Sequence, residues 1–177
     1  MACLKVAIVG HSQIPVSFPD IPSVDLRVFR LPGGRLGDFE RDCILKDSLK
    51  WAHDLTILFI GGNDIPNLAN ELIVGKLIEL VDKFKALGSC NVVVTLIEPR
   101  EYSYGNRFGI DNDVYKYSMN FINRKIKRLS KSRNYRVLNV NAKPFQNGHT
   151  ADGVHFNLQS RFAIVDKIRN CVVKHLN

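Results

Sequence analysis

Apolar residues recur along this chain in two alternating rhythms. Short runs rich in β-branched residues occupy positions 5–9, 24–29, 55–60, 91–96 and 136–140, a length and composition that predict buried strands. Between most of them the spacing lengthens to that of a helix. Leu68, Leu72, Ile73, Leu77, Leu80, Val81, Phe84 and Leu87 fall on one helical face, stopped by Gly88. Val114, Ser118, Phe121, Ile122, Ile126 and Leu129 predict a second helix, capped by Asp111 or Asn112. Leu158, Phe162, Val165, Ile168, Val172 and Leu176 predict a third, opened by Asn157, and a weaker helical pattern covers 36–51.

Strands that alternate with helices at this spacing predict a three-layer α/β/α domain, with a mainly parallel five-stranded sheet of the flavodoxin-like kind. There is no internal repeat and no low-complexity segment, so 177 residues are most simply one domain, 1–177. In such sheets a ligand binds outside the carboxyl ends of the strands. Reactive residues should therefore stand just after strands.

They do gather there. The first run ends in Gly10-His11-Ser12, the second leads into Leu31-Pro32-Gly33-Gly34, and the third ends in Gly61-Gly62-Asn63-Asp64. After the fifth comes Asp152-Gly153-Val154-His155. In this order the four segments resemble the motif blocks of the SGNH (GDSL-like) hydrolase family: a Gly-x-Ser nucleophile, a glycine, a Gly-x-Asn-Asp and an Asp-x-x-His. Each block alone is weak; four in order over most of the chain are specific. The wording Gly10-His11-Ser12, Pro32-Gly33-Gly34-Arg35-Leu36 and Asp152-Gly153-Val154-His155 also looks like the esterase domains in first-reading-frame proteins of some non-LTR retrotransposons.

The residue chemistry points the same way. A serine hydroxyl is a poor nucleophile until a base takes its proton, and a histidine base needs a carboxylate to fix its tautomer. Ser12, His155 and Asp152 supply these three groups from opposite ends of the chain. Taken singly, Ser12 reads as a helix cap and Asp152-Gly153 as a surface turn; the joint pattern favours a triad. The resemblance further implies an oxyanion hole made of the Ser12 backbone N–H, the Gly34 backbone N–H and the Asn63 side-chain amide. Whether Gly33 or Gly34 supplies the backbone donor is open at the level of sequence.

Two features depart from the family pattern. His11 stands where the commonest motif has aspartate, so any hydrogen bonds made by that carboxylate must be replaced or absent; as a second base, His11 would have to turn toward its own neighbour. The short stretch from Ser12 to Gly34 also holds Pro15, Pro19, Pro22 and Pro32, which disfavour a helix after the nucleophile. Glu98, Arg100 and Arg107 lie near the end of the fourth run, ahead of or within a polar loop over 101–110, and read equally as substrate contacts or as a solvated loop.

Composition narrows the context. Hydrophobic residues make up 45% and charged residues 24% of the chain, and no apolar stretch approaches a membrane span or a secretory leader; the expectation is an intracellular, cytoplasmic protein. Cys3, Cys43, Cys90 and Cys171 are scattered, with no metal spacing, and read as buried or inert thiols. No metal or organic cofactor is implied. The net charge of +8 and pI near 9.5 favour anionic neighbours, and Arg124, Lys127, Arg128 and Lys131 share one face of the second helix, as a solvated face or a contact for RNA or anionic membrane. Two functions follow as expectations. The first is a carboxylic ester hydrolase acting on a small acyl or lipid ester. The second is an idle module of the same fold that binds nucleic acid or acidic membranes.

Overall fold

In the computed structural model, which describes residues 3–51, 53–88, 91–100, 109–140 and 155–176, all five apolar runs are strands: β1 (Leu4–Gly10), β2 (Val24–Arg30), β3 (Leu55–Phe59), β4 (Asn91–Thr95) and β5 (Arg136–Leu138). They pair in parallel in the order β2-β1-β3-β4-β5. This is the flavodoxin-like order, whose direction reverses between β1 and β3 and leaves a crevice there. Ile8 aligns with Val28 on one side and Ile57 on the other, so β1 is central. Its residues from Val6 to Val9 are wholly buried. A central parallel strand with no polar face is what a sheet covered on both sides requires.

Side-chain alternation divides the core into two layers. Ala7 and Val9 of β1, with Leu58 of β3 and Val92 and Val94 of β4, pack with Leu77, Val81 and Phe84 of α2 (Asn70–Ala86) and Ile122 and Ile126 of α3 (Asn112–Leu129). Val6, Ile8, Ile57 and Phe59 pack with Ile164, Ile168 and Val172 of α4 (Leu158–Leu176) on the other face. That second layer is completed by Ile14, Ile21 and Phe156, which come from irregular segments.

Local signals fix the helix starts. The Asp111 carboxylate accepts the N–H groups of Asp113 and Val114 (2.7 and 3.4 Å) and caps α3, while Asn157 Oδ1 accepts the Ser160 N–H at 2.9 Å to cap α4. The weak pattern over 36–51 resolves into two pieces: a 3-10 turn, Leu36–Glu40, and α1 (Cys43–Lys50). The break falls at Asp42, whose side chain accepts from Ile44 and Leu45 and so begins a new helix. Between Ser12 and β2 there is no helix, as the prolines foretell.

Arg124, Lys127 and Arg128 are exposed on α3, opposite the buried Ile122 and Ile126, but the expected four-residue helix face is not complete: α3 ends at Leu129 and Lys131 is exposed in the turn that follows. Among the described residues no helix is long and apolar enough to cross a membrane. The cysteine expectation needs correction: Cys3, Cys43 and Cys171 are free thiols, but Cys3 and Cys43 are exposed rather than buried. They sit at the outset of β1 and at the outer face of short α1, where no layer covers them.

Candidate active site

Gly10 ends β1 so close to β3 that a Cβ there would stand 1.9 Å from the Phe59 carbonyl oxygen. Only glycine permits that approach, and it delivers the next residues directly over the β1/β3 crevice. The His11 N–H donates to the Phe59 carbonyl at 3.2 Å, and a tight turn closes as the Ile14 N–H donates to the His11 carbonyl, also 3.2 Å. Ser12 rides on this turn, part-exposed. Its carbonyl accepts Arg30 Nη2 at 2.9 Å, and its own N–H has no acceptor among the described residues. The turn therefore presents a hydroxyl and an unengaged donor together.

His11 points away from its neighbour. Its ring is fully buried, edge-on to Phe59 at 5.5 Å between centroids. Nδ1 accepts the Gln13 N–H at 3.2 Å, and Nε2 faces Glu98 Oε1 at 3.5 Å, long for a good hydrogen bond. Burial pushes its pKa down to about 4 against the pull of Glu98, with Arg100, His155 and Arg30 lowering it further. With Nδ1 an acceptor and the ring neutral, Nε2 carries the proton. His11 is thus a fixed structural group with both nitrogens directed elsewhere, not a competing base for Ser12.

Glu98 and Arg100, ambiguous in the sequence, belong to the same buried unit. Arg100 Nη2 donates to Glu98 Oε1 at 3.2 Å with both side chains only 2% accessible, and the guanidinium lies 5.7 Å from the Tyr115 ring centroid. The Tyr115 hydroxyl donates to the Glu98 carbonyl at 3.2 Å. The end of β4 is pinned from α3 as well, where the Asn123 amide donates to Ile97 O (2.9 Å) and accepts Ile97 N–H (2.8 Å). Sequence reasoning places Glu98 and Arg100 at this edge, as substrate contacts or a solvated loop, but not their buried pairing, and it does not single out Arg30.

The opposite wall of the crevice is built from two loops. Leu31-Pro32-Gly33-Gly34 forms a turn in which the Gly34 N–H donates to the Leu31 carbonyl at 2.9 Å and Gly33 has φ +72°. Proline second and a positive-φ glycine third are the signature of a type II turn. Gly34 N–H is therefore engaged within the turn, as are the next two: Arg35 N–H donates to Asp38 Oδ2 (2.8 Å) and Leu36 N–H to the Asp64 carboxylate (3.2 and 3.3 Å). Gly33 N–H has no acceptor among the described residues. A cavity of about 360 Å³, bordered by Gly33, Gly34, Asp38 and Arg41, opens beside it.

Asn63 and Asp64 knit the β3 loop to this turn. Asn63 Nδ2 donates to the Gly34 carbonyl at 3.0 Å, which orients the amide and leaves its second hydrogen for another acceptor. Asp64 is 1% exposed, and burial raises its carboxyl to about 6, opposed chiefly by the Leu36 N–H.

His155 arrives from the far end of the chain. The Phe156 N–H donates to Gln13 Oε1 at 3.1 Å, a buried hydrogen bond across 143 residues. The residue after Ser12 is thus joined to the residue after His155. Phe156 itself is 1% exposed in the second core layer, and Asn157 starts α4 immediately behind it. Asp152 lies outside the described residues, as does Arg107. Among the described residues no group of His, Cys, Asp and Glu side chains is arranged to hold a metal.

The fold is that of the SGNH (GDSL-like) hydrolases. No family model matches the chain, and no curated sequence does. Among solved structures, it is similar to an acetylxylan esterase from Geobacillus stearothermophilus, with a TM-score of 0.71 at 14% identity over 96% of this chain and 94% of that one. It is also similar to a lipolytic protein of the G-D-S-L family from Veillonella parvula (TM-score 0.71, 15% identity, 94% and 97% covered) and to a GDSL-like lipase from Bacteroides thetaiotaomicron (0.71, 16%, 97% and 88%).

Proposed function

We propose that this chain is a serine-dependent carboxylic ester hydrolase in which Ser12 is the nucleophile, His155 its base and Asp152 the carboxylate that orients His155. The observation that carries this reading is the Gln13–Phe156 hydrogen bond, 3.1 Å across 143 residues, which sets the Ser12 turn beside the His155 segment at the carboxyl edge of the sheet. His155 takes the hydroxyl proton as Ser12 Oγ attacks the ester carbonyl carbon. The oxyanion that forms accepts from the Asn63 amide and from the backbone N–H of Ser12, both on the rim of the crevice. A third donor comes from the Gly33-Gly34 turn. The N–H of Gly34 donates to Leu31, so Gly33 is the donor favoured by this geometry; Gly34 serves only if the turn opens.

Collapse of the tetrahedral intermediate expels the alcohol, which takes the proton from His155, and leaves an acyl-Ser12 ester. Water then attacks that ester as His155 takes its proton, releasing the acid and restoring the hydroxyl. The fold neighbours described as an esterase and as lipases support an acyl ester as substrate. The narrower reading, an esterase domain of a non-LTR retrotransposon protein, is supported by the motif wording alone.

The test is an activity profile on p-nitrophenyl esters of increasing acyl length, with the wild type and Ser12→Ala compared. Hydrolysis should be present in the wild type, strongest for one range of acyl length, and abolished in the folded alanine variant. Comparable rates in the two proteins would remove Ser12 from the reaction.

A further inference from the structure

The Gln13–Phe156 bond has a back-support that the hydrolase reading leaves unused. Gln13 is 4% exposed, and both ends of the residue are held. Its side-chain oxygen accepts from Phe156, while its backbone N–H donates to His11 Nδ1 at 3.2 Å. His11 is in turn fixed by the edge of Phe59 and by Glu98, which Arg100 holds at 3.2 Å. A continuous buried line of contacts thus runs from the end of β4 through His11 and Gln13 to the residue next to His155.

We propose that Gln13 is the positioning residue that sets His155 against Ser12, and that His11 holds Gln13 in place for this task. The proposal rests on the hydrolase reading and names the device that assembles its nucleophile and base. Two arguments favour a positioning role over general packing. First, an amide oxygen is a directional acceptor, and the Phe156 N–H it accepts belongs to the residue adjoining the base, so the bond sets where the His155 backbone stands, where an apolar side chain would only fill space. Second, the His11 contact requires an unprotonated Nδ1, and the buried ring meets that requirement because its pKa is pushed down to about 4. The aspartate of the commonest motif is thereby replaced by a neutral acceptor. A displacement of about 1 Å between reacting groups is enough to cost about 10²-fold in rate, so the loss of one anchoring bond should be visible in turnover.

The experiment compares the wild type with Gln13→Met, which keeps length and loses the amide acceptor, and Gln13→Glu, which keeps an acceptor of equal reach. Three quantities are read: hydrogen exchange of the Phe156 amide, the imidazole resonances of His155, and kcat and KM on p-nitrophenyl acetate. In Gln13→Met the Phe156 amide should exchange at least about tenfold faster, the His155 resonances should move, and kcat should fall by about 10- to 100-fold with KM little changed. Gln13→Glu should recover much of kcat, with the acid limb of its pH profile moved to higher pH, because a carboxylate beside His155 favours the imidazolium. An inactive wild type would refute the hydrolase reading while leaving exchange and resonances to decide the clamp. Unchanged Phe156 exchange and unchanged His155 resonances in Gln13→Met would overturn the clamp whatever the activity.

Discussion

The two walls of the crevice are held by opposite means. The Ser12–His155 wall joins the two ends of the chain through a buried hydrogen bond over 143 residues, backed by His11, Glu98 and Arg100 inside the protein. The Gly33–Asn63 wall joins loops fewer than 30 residues apart through the part-buried Asn63 amide and the buried Asp64 carboxylate. One is a long-range assembly that exists only once α4 has docked on the sheet. The other is a local brace between the ends of β2 and β3. A fold can therefore present oxyanion donors without a nucleophile and base in register, and under the proposed mechanism the Gln13–Phe156 bond is where this chain meets the harder requirement.

The comparison is broken most severely at Asn63. In the proposed mechanism its amide meets a negative oxygen that forms only as Ser12 attacks, so Asn63→Ala should lower kcat by about 10²–10³ with little change in KM. Asn63→Asp places an acceptor where a donor is needed and should be at least as damaging at neutral pH. Steady-state kinetics on one activated ester, with circular dichroism as the folding control, decides this; near-wild-type kcat in either variant would remove the β3 loop from the chemistry.

A smaller effect sharpens the contrast in buried charge. Asp64 is raised from 3.8 to about 6, so the folded state binds its proton more tightly than the unfolded chain does. Its contribution to stability is fully present below about pH 4 and is lost as pH rises through 6. His11 runs the other way: lowered from 6.5 to about 4, it contributes stability that is present above 6.5 and lost as pH falls through 4. The two slopes oppose each other over nearly the same window. Asp64→Asn keeps an oxygen for the Leu36 N–H and removes only the acidic member. Thermal melts should place the variant close to the wild type at pH 4 and a few degrees above it at pH 8, on the order of 2–4 °C per kcal/mol for a chain this size. A difference that stays constant with pH would mean that Asp64 acts only as a brace.

Much of this architecture was legible in the residues. Five apolar runs and three amphipathic periods became the five strands and α2, α3 and α4, because their rhythm and caps agree with one another: Asp111 and Asn157 mark helix starts that the apolar face independently requires. The 36–51 region was read less well, since Asp42 interrupts a pattern that periodicity alone treats as continuous. At the site, Ser12, Gly34, Asn63 and His155 stood out because each follows a strand. Gln13 did not. Its meaning lies in a partner 143 residues away, and nothing local distinguishes it from a solvated glutamine. The same holds for Glu98 and Arg100, which the sequence places at the right edge but which only the packing of His11 beneath Ser12 turns inward.

The central claim is that His155 activates Ser12, and covalent trapping tests it most directly. A fluorophosphonate ester loses fluoride to an activated serine Oγ and stays bonded to it, and peptide mass spectrometry locates the adduct. The account expects a single adduct on Ser12 in the wild type, none at that position in Ser12→Ala, and labelling slowed by at least about 10³-fold in folded His155→Ala, in line with the interdependence of nucleophile and base. Labelling of Ser12 at an undiminished rate in His155→Ala, or an active wild type whose adduct lies on another residue, would contradict it.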